Sequence, residues 1–299
     1  MNKMFLKFIR LYTFYSPIRK GKYRLFEFAL RNCGKLPSKL ITKTTDGRKI
    51  NVHLADKMYD TVYFLGEYEM AVSKIITEIV RKTDVCIDAG ANYGWYATLL
   101  AHLGVNKVYA FEPVLPTFQK LEKNFELAGN PTNLVVNNLA LGDEEKQITL
   151  HVFENQPDGH ASISTMGNES YLEFDAQMTT LDNYLADKLS QETQINFMKV
   201  DVEGAEMLLL RGAKCLFNQT VPPMIIMEMA LQTSRHFGYK PNELIEFIRA
   251  QADYEFFAVN ELNAKLKKIQ GFSDEDIGAN VLCIPKNHYR DRLSGLTFE

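Results

Sequence analysis

The chain has 299 residues, of which 46% are hydrophobic and 24% are charged, a composition typical of one large α/β domain with a modest extension. A formal net charge of -3 argues against a nucleic-acid binder, and no uncharged apolar run is long enough to predict a membrane-spanning helix. Cys33, Cys86, Cys215 and Cys283 show neither a C-x-x-C pair nor zinc spacing, so we expect buried free thiols in a reducing compartment.

Residues 1–45 are predicted to form a basic, aromatic, helical extension. Lys7 and Arg10 interrupt what would be the apolar core of a signal peptide, so we interpret this segment as mature protein. Residues 1–26 contain seven Lys and Arg residues and no acid. Such a segment can lie on an anionic membrane surface, or it can pack its aromatic side chains on the main domain. We expect a cytoplasmic protein, with peripheral contact of residues 1–26 to the inner face of the membrane as an open alternative.

Strand-like and helix-like segments alternate along the rest of the chain. Strands are predicted at RKINVHL, VCIDAG, KVYAFE, NLVVNNLAL, QITLHVF, INFMKVDV, PPMIIMEM, YEFFAVNE and ANVLCIP. Helices are predicted from about Glu67 to Val80 and through WYATLLAHL, PTFQKLEKNFELAG, GAEMLLLRGAKCLF and PNELIEFIRAQA. This pattern favours a parallel sheet with helices on both faces, where ligands bind beyond the carboxyl ends of the strands. The polar segment at residues 154–177 is predicted to be the longest loop, a lid or binding loop.

The strand VCIDAG runs into the turn DAGANYG, which holds Asp88, Gly90, Asn92 and Gly94. No Lys follows the turn as in a P-loop, and Asn92 stands where a dinucleotide fingerprint has its second glycine. Asp88 would also repel a pyrophosphate. A ligand with a cation and a carboxylate suits this turn better, because the cation can face the acid while the carboxylate meets helix N–H groups.

Polar residues also follow the next two predicted strands. Glu112 comes about twenty residues after the turn, where an acid can accept both hydroxyls of a ribose. Asn138 or Asp143, near the end of the predicted strand NLVVNNLAL, can hydrogen-bond an adenine edge. Helix capping can explain one polar residue at a strand end, but it explains poorly the ordered set of Asp88, Gly90, Gly94 and Glu112.

Acidic residues concentrate at the ends of the predicted strands INFMKVDV and PPMIIMEM. Lys199, Asp201 and Glu203 alternate in MKVDVEGAE, and they share one side if the strand persists. Carboxylates this close are costly unless they cap a helix, bind a cation or transfer protons. Glu206 suits the capping role. Glu228 in IIMEMA is flanked by apolar residues, which predicts a raised pKa suited to a general base.

The segments YFLGEYE, VCIDAGANYGWY, YAFEP, NLALGD, TTLDNYLAD, FMKVDVEGAEMLLLRGA and IIMEMA together resemble the FkbM family of S-adenosylmethionine-dependent methyltransferases. The resemblance covers roughly Asp60 to Ala230, and KVDVEGAE…LRGA is its specific part. It implies a Rossmann-like class I methyltransferase fold, with a seven-stranded, mostly parallel sheet whose last strand is antiparallel. It also implies methyl transfer to a hydroxyl, commonly of a sugar, and places a methyltransferase domain at residues 46–299.

The resemblance assigns roles to the strand-end residues. The glycine turn takes the amino-acid end of S-adenosylmethionine, with Asp88 on its ammonium side, while Glu112 takes the ribose. The expected cofactor-binding residues are Asp88, Gly90, Asn92, Gly94, Glu112, Asn138 and Asp201. The expected general base is Asp201, followed by Glu203 and Glu228, while His160 and His236 are weaker candidates. His160, Ser162 and Ser164 are expected to close over the cofactor or the acceptor.

Rival interpretations stay open at this point. A nucleotide-binding oxidoreductase is one, although Asp88 and the missing central glycine argue against it. A non-catalytic S-adenosylmethionine-binding protein is another, although a scaffold has no need for so many neighbouring acids. We predict no metal site, while clustered acids leave Mg²⁺ as an alternative. The acceptor is expected to be a sugar, a glycan or a glycolipid.

Overall fold

The computed structural model describes residues 3–16, 18, 21–32, 40–53, 58–153, 161–162, 171–188, 193–273 and 277–299. Its helices, in chain order, are α1 (Lys3–Tyr15), α2 (Lys22–Asn32), α3 (Met58–Leu65), α4 (Met70–Ile79), α5 (Trp95–His102), α6 (Leu115–Leu127), α7 (Leu181–Lys188), α8 (Glu206–Arg211), α9 (Lys214–Phe217), α10 (Leu231–Ser234) and α11 (Pro241–Gln251), with short 3-10 helices at Arg235–Phe237 and Arg290–Arg292. Its strands are β1 (Leu40–Lys43), β2 (Lys49–Val52), β3 (Val85–Ala89), β4 (Lys107–Phe111), β5 (Leu134–Asn137), β6 (Ala140–Gly142), β7 (Lys146–Phe153), β8 (Ala161–Ser162), β9 (Tyr171–Thr180), β10 (Phe197–Val200), β11 (Met224–Ala230), β12 (Tyr254–Val259), β13 (Lys265–Ile269), β14 (Gly278–Pro285) and β15 (Thr297–Phe298).

The main sheet contains nine of the described strands, in the order β15-β13-β12-β14-β11-β10-β3-β4-β5. Strands β5, β4, β3, β10 and β11 run parallel, and β14 is antiparallel to both of its neighbours, β11 and β12. Every residue of β3 and β10 is buried, as expected where helices cover both faces. The predicted α/β fold is therefore confirmed, with its antiparallel strand β14.

The edge of the main sheet extends beyond the seven strands that the resemblance implies. Strand β13 pairs antiparallel with β12, and β15 pairs parallel with β13. The sequence KLKKI of β13 buries Leu266 fully and exposes three lysines. A strand with so few buried side chains gives too little apolar alternation to be predicted.

A second sheet includes part of the segment that was predicted to be the longest loop. Its order is β6-β9-β7-β8, and β9 pairs antiparallel with β7 over eight residue pairs. The loop prediction was therefore wrong for residues 161–162 and 171–177. The acids of β9 lie on its exposed face, while Ala176 and Met178 are buried, so the strand looks polar in the sequence. Ser162 lies in β8, whereas His160 and Ser164 lie outside the described residues.

The N-terminal region is helical only in part. Residues 40–43 form strand β1, which pairs antiparallel with β2, so the helical prediction was wrong there. The predicted domain boundary between residues 45 and 46 lies in the turn that joins these two strands and stays a prediction. Helices α1 and α2 contribute Leu6, Ile9, Phe26 and Ala29 to the main core, so their inner faces pack against the body of the protein.

Helices cover both faces of the main sheet. The predicted helix from Glu67 to Val80 is α4, which begins three residues later, and its apolar stripe packs with α5 on one face. Helices α7, α8 and α11 cover the other face. Within the described ranges, no helix is long and apolar enough to cross a bilayer.

Candidate active site

A cavity of about 240 Å³ opens at the carboxyl ends of β3, β4, β10 and β11. This edge of a parallel sheet is where α/β proteins bind ligands. Six of the predicted site residues line the cavity: Gly90, Asn92, Glu112, Asp201, Glu203 and Glu228. Sequence reasoning did not assign a role to Tyr68, Glu69, Tyr96, Leu139, Ile148, Leu150 or Phe237, which also line it.

The turn between β3 and α5 has an alternating left-handed backbone. Gly90, Asn92 and Gly94 have φ angles of 78°, 49° and 88°. Asparagine tolerates this conformation better than most residues, so Asn92 can occupy a position whose φ angle usually favours glycine. A Cβ at Gly90 would lie only 1.8 Å from the carbonyl oxygen of Asp201. Gly90 is therefore required both by its φ angle and by the close approach of the chain after β10.

Glu112 ties the turn to the loop after β4. Its Oε2 accepts a hydrogen bond from the backbone N–H of Asn92, and its Oε1 accepts one from the N–H of Val114, both at 2.9 Å. Burial raises the pKa of Glu112 to about 7, although both hydrogen bonds oppose that rise. Each carboxylate oxygen keeps a second lone pair, so Glu112 can still accept hydroxyl groups from a ligand in the cavity.

Asp88 lies beneath the turn and is not part of the cavity lining. Its carboxylate is buried, and neither oxygen has a well-aligned hydrogen-bond donor among the described residues, although the N–H of Ala97 approaches it. Asp88 lies opposite Lys199 in the β3–β10 register. Burial raises the pKa of Asp88 to about 7, and the Lys199 charge opposes this rise. The main cation that acts on Asp88 is thus the Lys199 side chain.

Gly94 and Asn138 also lie outside the cavity lining. Gly94 precedes the first residue of α5, and a Cβ there would lie 2.4 Å from Leu121 Cδ1. The Nδ2 of Asn138 donates to the carbonyl oxygens of Glu112 and Pro113, both at 2.9 Å. Asn138 therefore fixes the loop that carries Glu112, and the predicted adenine contact stays a prediction. Asp143 is exposed.

Lys199 is a fully buried cation behind the carboxylates. Its Nζ lies 3.1 Å from Asp201 Oδ2 and 5.3 Å from the centre of the Tyr96 ring. Burial alone would lower the pKa of Lys199, but Asp201, Glu69 and Asp88 raise it above its ordinary value. The lysine therefore stays charged and partly offsets the repulsion among the acids around it.

Glu228 faces the cavity from β11, close to other acids. Burial raises the pKa of Glu228 to about 8, the Asp201 and Glu203 charges add to that rise, and Lys199 opposes it. This direction agrees with the sequence-based expectation. No hydrogen bond from a described residue lowers the pKa. Glu228 thus combines cavity access with a raised pKa and no fixed partner, the properties of a proton acceptor.

Glu69 is an acid of this site that sequence reasoning missed. It precedes α4 with a left-handed φ of 39°, and the Tyr96 hydroxyl donates a hydrogen bond to its Oε2. Burial raises the pKa of Glu69, while the Lys199 charge lowers it. The segment YFLGEYE pointed to this region, but Glu69 was assigned to the body of the predicted helix.

The chain turns sharply after β10, so the predicted alternation ends at Asp201. Glu203 has a φ of 53° and lies in the β10–α8 turn. Glu206 accepts hydrogen bonds from the N–H of Gly204 at 3.1 Å and from the Tyr239 hydroxyl at 2.8 Å. Burial raises the pKa of Glu206 to about 7. It stabilises the turn and places an acid in the first turn of α8, but it does not cap the helix, because the N-cap residue is Ala205 and no described side chain makes a capping hydrogen bond there.

The lining of the cavity is strongly acidic. Glu69, Glu112, Asp201, Glu203 and Glu228 all line it, whereas the described lining residues include no Lys, Arg or His. No group of three or more His, Cys, Asp or Glu residues in the described chain is arranged to hold a metal ion. The arrangement can bind a cationic ligand and accept a proton.

Comparisons with known proteins give one family match and several methyltransferase relatives. Residues 88–256 match the methyltransferase FkbM domain. The chain is 25% identical over 199 residues to the hexuronic acid methyltransferase AglP of Haloferax volcanii, covering 65% of this chain and 77% of AglP. It is 30% identical over 149 residues to Methyltransferase 1 of Beauveria bassiana, covering 42% of this chain and 57% of that relative. A solved structure of a methyltransferase FkbM from Methylobacillus flagellatus superposes with a TM-score of 0.44 at 15% identity, covering 69% of this chain and 44% of that one.

Proposed function

Because the chain belongs to the methyltransferase FkbM family and is a methyltransferase, we propose that it transfers a methyl group from S-adenosylmethionine to a hydroxyl group of a sugar, glycan or glycolipid. The observation that carries this proposal is Glu228, an acid without a fixed partner that faces the same cavity as the glycine turn. An alcohol is a weak nucleophile near neutral pH, so its methylation needs a base at this position.

The cavity lining suits S-adenosylmethionine. Bound there, the cofactor supplies an electrophilic methyl group on a positively charged sulfur. Gly90 and Asn92 open the backbone of the turn for the amino-acid end, and Glu112 is available to the ribose hydroxyls. Leu139, Ile148 and Leu150 offer an apolar surface for the adenine ring.

Asp201, rather than Asp88, is our candidate for the ammonium group of the cofactor. Asp201 lines the cavity beside Gly90, whereas Asp88 lies below the turn and faces Lys199. Asp88 then acts through Lys199, whose charge holds Asp201 in place. This assignment keeps Asp201 in the set of cofactor-binding residues.

Glu228 is our candidate for the general base. The Asp201 carboxylate is held by Lys199 at 3.1 Å, whereas no described residue holds Glu228 in an ion pair of this kind. A Glu228 carboxylate oxygen accepts the proton that the acceptor hydroxyl loses as its oxygen is methylated. Because the pKa of Glu228 is raised to about 8, the turnover number should rise with pH until Glu228 is deprotonated.

The charge of the lining favours a neutral or cationic acceptor. The described lining residues include five acids and no basic side chain. Raised pKa values leave Glu112 and Glu228 partly protonated near neutral pH, but an acceptor with its own carboxylate would still find no cationic partner in the lining. AglP is named for a hexuronic acid acceptor, which supports a sugar as the acceptor class. We expect this chain to prefer neutral hexoses and amino sugars to hexuronic acids.

The test is a methyl-transfer assay with labelled S-adenosylmethionine and a panel of neutral, amino and hexuronic sugars and glycolipids. We expect Glu228→Gln to lower the turnover number by about 10² to 10⁴-fold while S-adenosylhomocysteine still binds in calorimetry. The control is Glu246→Gln, which removes an exposed acid of α11 that lies outside the cavity.

Three results would count against the proposal. If Glu228→Gln keeps full turnover, and Asp201→Asn loses it while S-adenosylhomocysteine still binds, Asp201 is the base. If the chain binds NADH but not S-adenosylhomocysteine, the cofactor assignment is wrong. If a chelator abolishes turnover and Mg²⁺ restores it, a metal takes part and the acidic cluster has a different role.

A further inference from the structure

Helix α1 has an apolar surface on two opposite sides. Its inner side buries Leu6 and Ile9 in the main core. Its outer side exposes Met4, Phe8, Leu11 and Tyr15, with exposed fractions of 74%, 72%, 57% and 72%. Their spacing of four, three and four residues aligns them along one stripe of the helix, which we call the outer stripe. One packed stripe suffices to hold a surface helix, so the outer stripe needs another explanation.

The charge around the outer stripe is positive. Residues 1–26 carry seven Lys and Arg residues and no acid, although the whole chain has a formal net charge of -3. Helix α1 contains no acidic residue, and Lys7 and Arg24 are exposed. The neighbouring α2 exposes Tyr23 and Phe28 by more than half. Exposed aromatic and apolar side chains among basic ones are typical of helices that lie in the interface of an anionic bilayer.

The combination of an exposed apolar stripe and basic neighbours indicates which class of partner the helix binds. A second copy of the chain would bring two basic N-terminal regions together, which electrostatic repulsion disfavours. An anionic lipid surface instead attracts the lysines and arginines while its acyl boundary buries the apolar stripe. The helix is 13 residues long, about 20 Å, which suits a helix lying along the surface.

Helix α1 is also fixed to the part of the chain that leads into the cavity. Arg10 Nε donates to the carbonyl oxygen of Tyr63 at 3.0 Å, and the Thr13 hydroxyl donates to that of Phe64 at 2.7 Å. A Cβ at Gly66 would lie 2.5 Å from the Phe14 ring, so α1 packs tightly at this point. Two residues further on, Tyr68 begins the part of the chain that lines the cavity.

We propose that the outer stripe of α1 docks the protein on an anionic membrane surface. The helix lies parallel to the bilayer, with its outer stripe in the headgroup and acyl boundary and its inner side still packed on the core. The cavity is then held at a set position relative to the lipid surface. This docking goes beyond the proposed function and does not depend on which acceptor is methylated.

The test is co-sedimentation of the full chain with vesicles of phosphatidylcholine, with and without phosphatidylglycerol. We expect binding to the anionic vesicles that weakens with added salt. Phe8→Ser with Leu11→Ser should weaken the partition at least about tenfold. The matched control is Leu262→Ser with Ile277→Ser, which removes two exposed apolar side chains elsewhere, with exposed fractions of 90% and 83%. We expect wild-type binding from this control.

Several results would overturn the proposal. Equal binding of the Phe8/Leu11 variant and the wild type would show that the outer stripe does not contact lipid. Equal binding to both kinds of vesicle, or to neither, would remove the electrostatic argument. If sedimentation equilibrium instead shows a dimer that the Phe8/Leu11 variant abolishes, the stripe is a self-association surface. Unfolding curves of both double variants check that they are folded.

Discussion

Two sides of one cavity stabilise their acids in different ways. On the turn side, Glu112 accepts hydrogen bonds from the N–H groups of Asn92 and Val114. On the carboxylate side, Glu69, Asp201 and Glu228 each interact with the charge of Lys199. Burial raises the pKa of both Glu112 and Glu228, to about 7 and about 8. The comparison shows that burial alone does not decide the role of an acid, because its partners determine whether it is fixed or available.

Because their partners differ, the two sides of the cavity also differ in what they can do chemically. The backbone donors of the turn side hold Glu112 in one position, which suits the binding of a ligand of constant shape. The carboxylate side is balanced by the buried cation Lys199, so its charge state can change when a proton or a cationic ligand arrives. We therefore expect substitutions on the two sides to differ in size and in pH dependence.

The largest effect is expected from the cation of the carboxylate side. Lys199→Met keeps much of the side-chain length but leaves the surrounding acids without their positive partner. We expect a loss of about 3–5 kcal/mol in the free energy of unfolding near pH 8, measured by chemical denaturation. The loss should shrink at lower pH, where the acids take up protons. The control is Lys265→Met, at an exposed position of β13. An unchanged unfolding free energy for Lys199→Met at pH 8 would mean that Lys199 does not balance the cluster.

The next largest effect is expected from the turn side. Gly90→Ala combines a φ of 78° with a Cβ only 1.8 Å from the Asp201 carbonyl oxygen, so the turn or the chain after β10 must move. Gly104→Ala is the matched control, because its φ is 74° and a Cβ there meets no atom within 4 Å. We expect about 1 kcal/mol of destabilisation at Gly104 and clearly more at Gly90. S-adenosylhomocysteine binding should weaken only in the Gly90 variant, and equal losses in both would show that the close approach is unimportant.

Sequence patterns located the residues that line the turn side of the cavity, because the signals are local. Gly90, Asn92 and Glu112 lie directly after two buried strands, and parallel strands bring their carboxyl ends to one edge. The position of Asp88 was harder to predict, since whether a strand-end acid faces the cavity or a neighbouring strand depends on which residue lies opposite it. Its position opposite Lys199 is a property of the β3–β10 register, and the two residues are more than a hundred positions apart.

The carboxylate side was predicted only in part for the same physical reason. Asp201, Glu203 and Glu228 come from adjacent strand ends, so the strand-end rule found them. Glu69 reaches the cavity from the start of α4 and adopts a left-handed φ, and no local pattern indicates this position. The second sheet was also missed in part, because β9 carries its acids on the exposed face and looks like a polar loop.

The smallest effect is expected in the pH dependence of stability. This measurement compares the turn side and the carboxylate side most directly. An acid whose pKa is raised on folding binds more protons in the folded than in the unfolded state. Its contribution to stability is therefore present below its unfolded pKa, near 4.5, and is lost as the pH rises through about 7 for Glu112 and about 8 for Glu228. We expect the melting temperature of the ligand-free protein to fall by a few degrees between about pH 6 and pH 8.5.

Glutamine variants decide which side causes that fall. Glu228→Gln removes a titrating group that has no fixed partner, so the pH dependence should flatten at its alkaline end. Glu112→Gln also removes a titrating group, but it replaces one acceptor of the two backbone N–H groups by an amide NH₂, so it should lower the melting temperature at every pH. Thermal unfolding across the pH range measures both effects. Identical profiles for the two variants would mean that the hydrogen bonds of Glu112 do not distinguish the turn side from the carboxylate side.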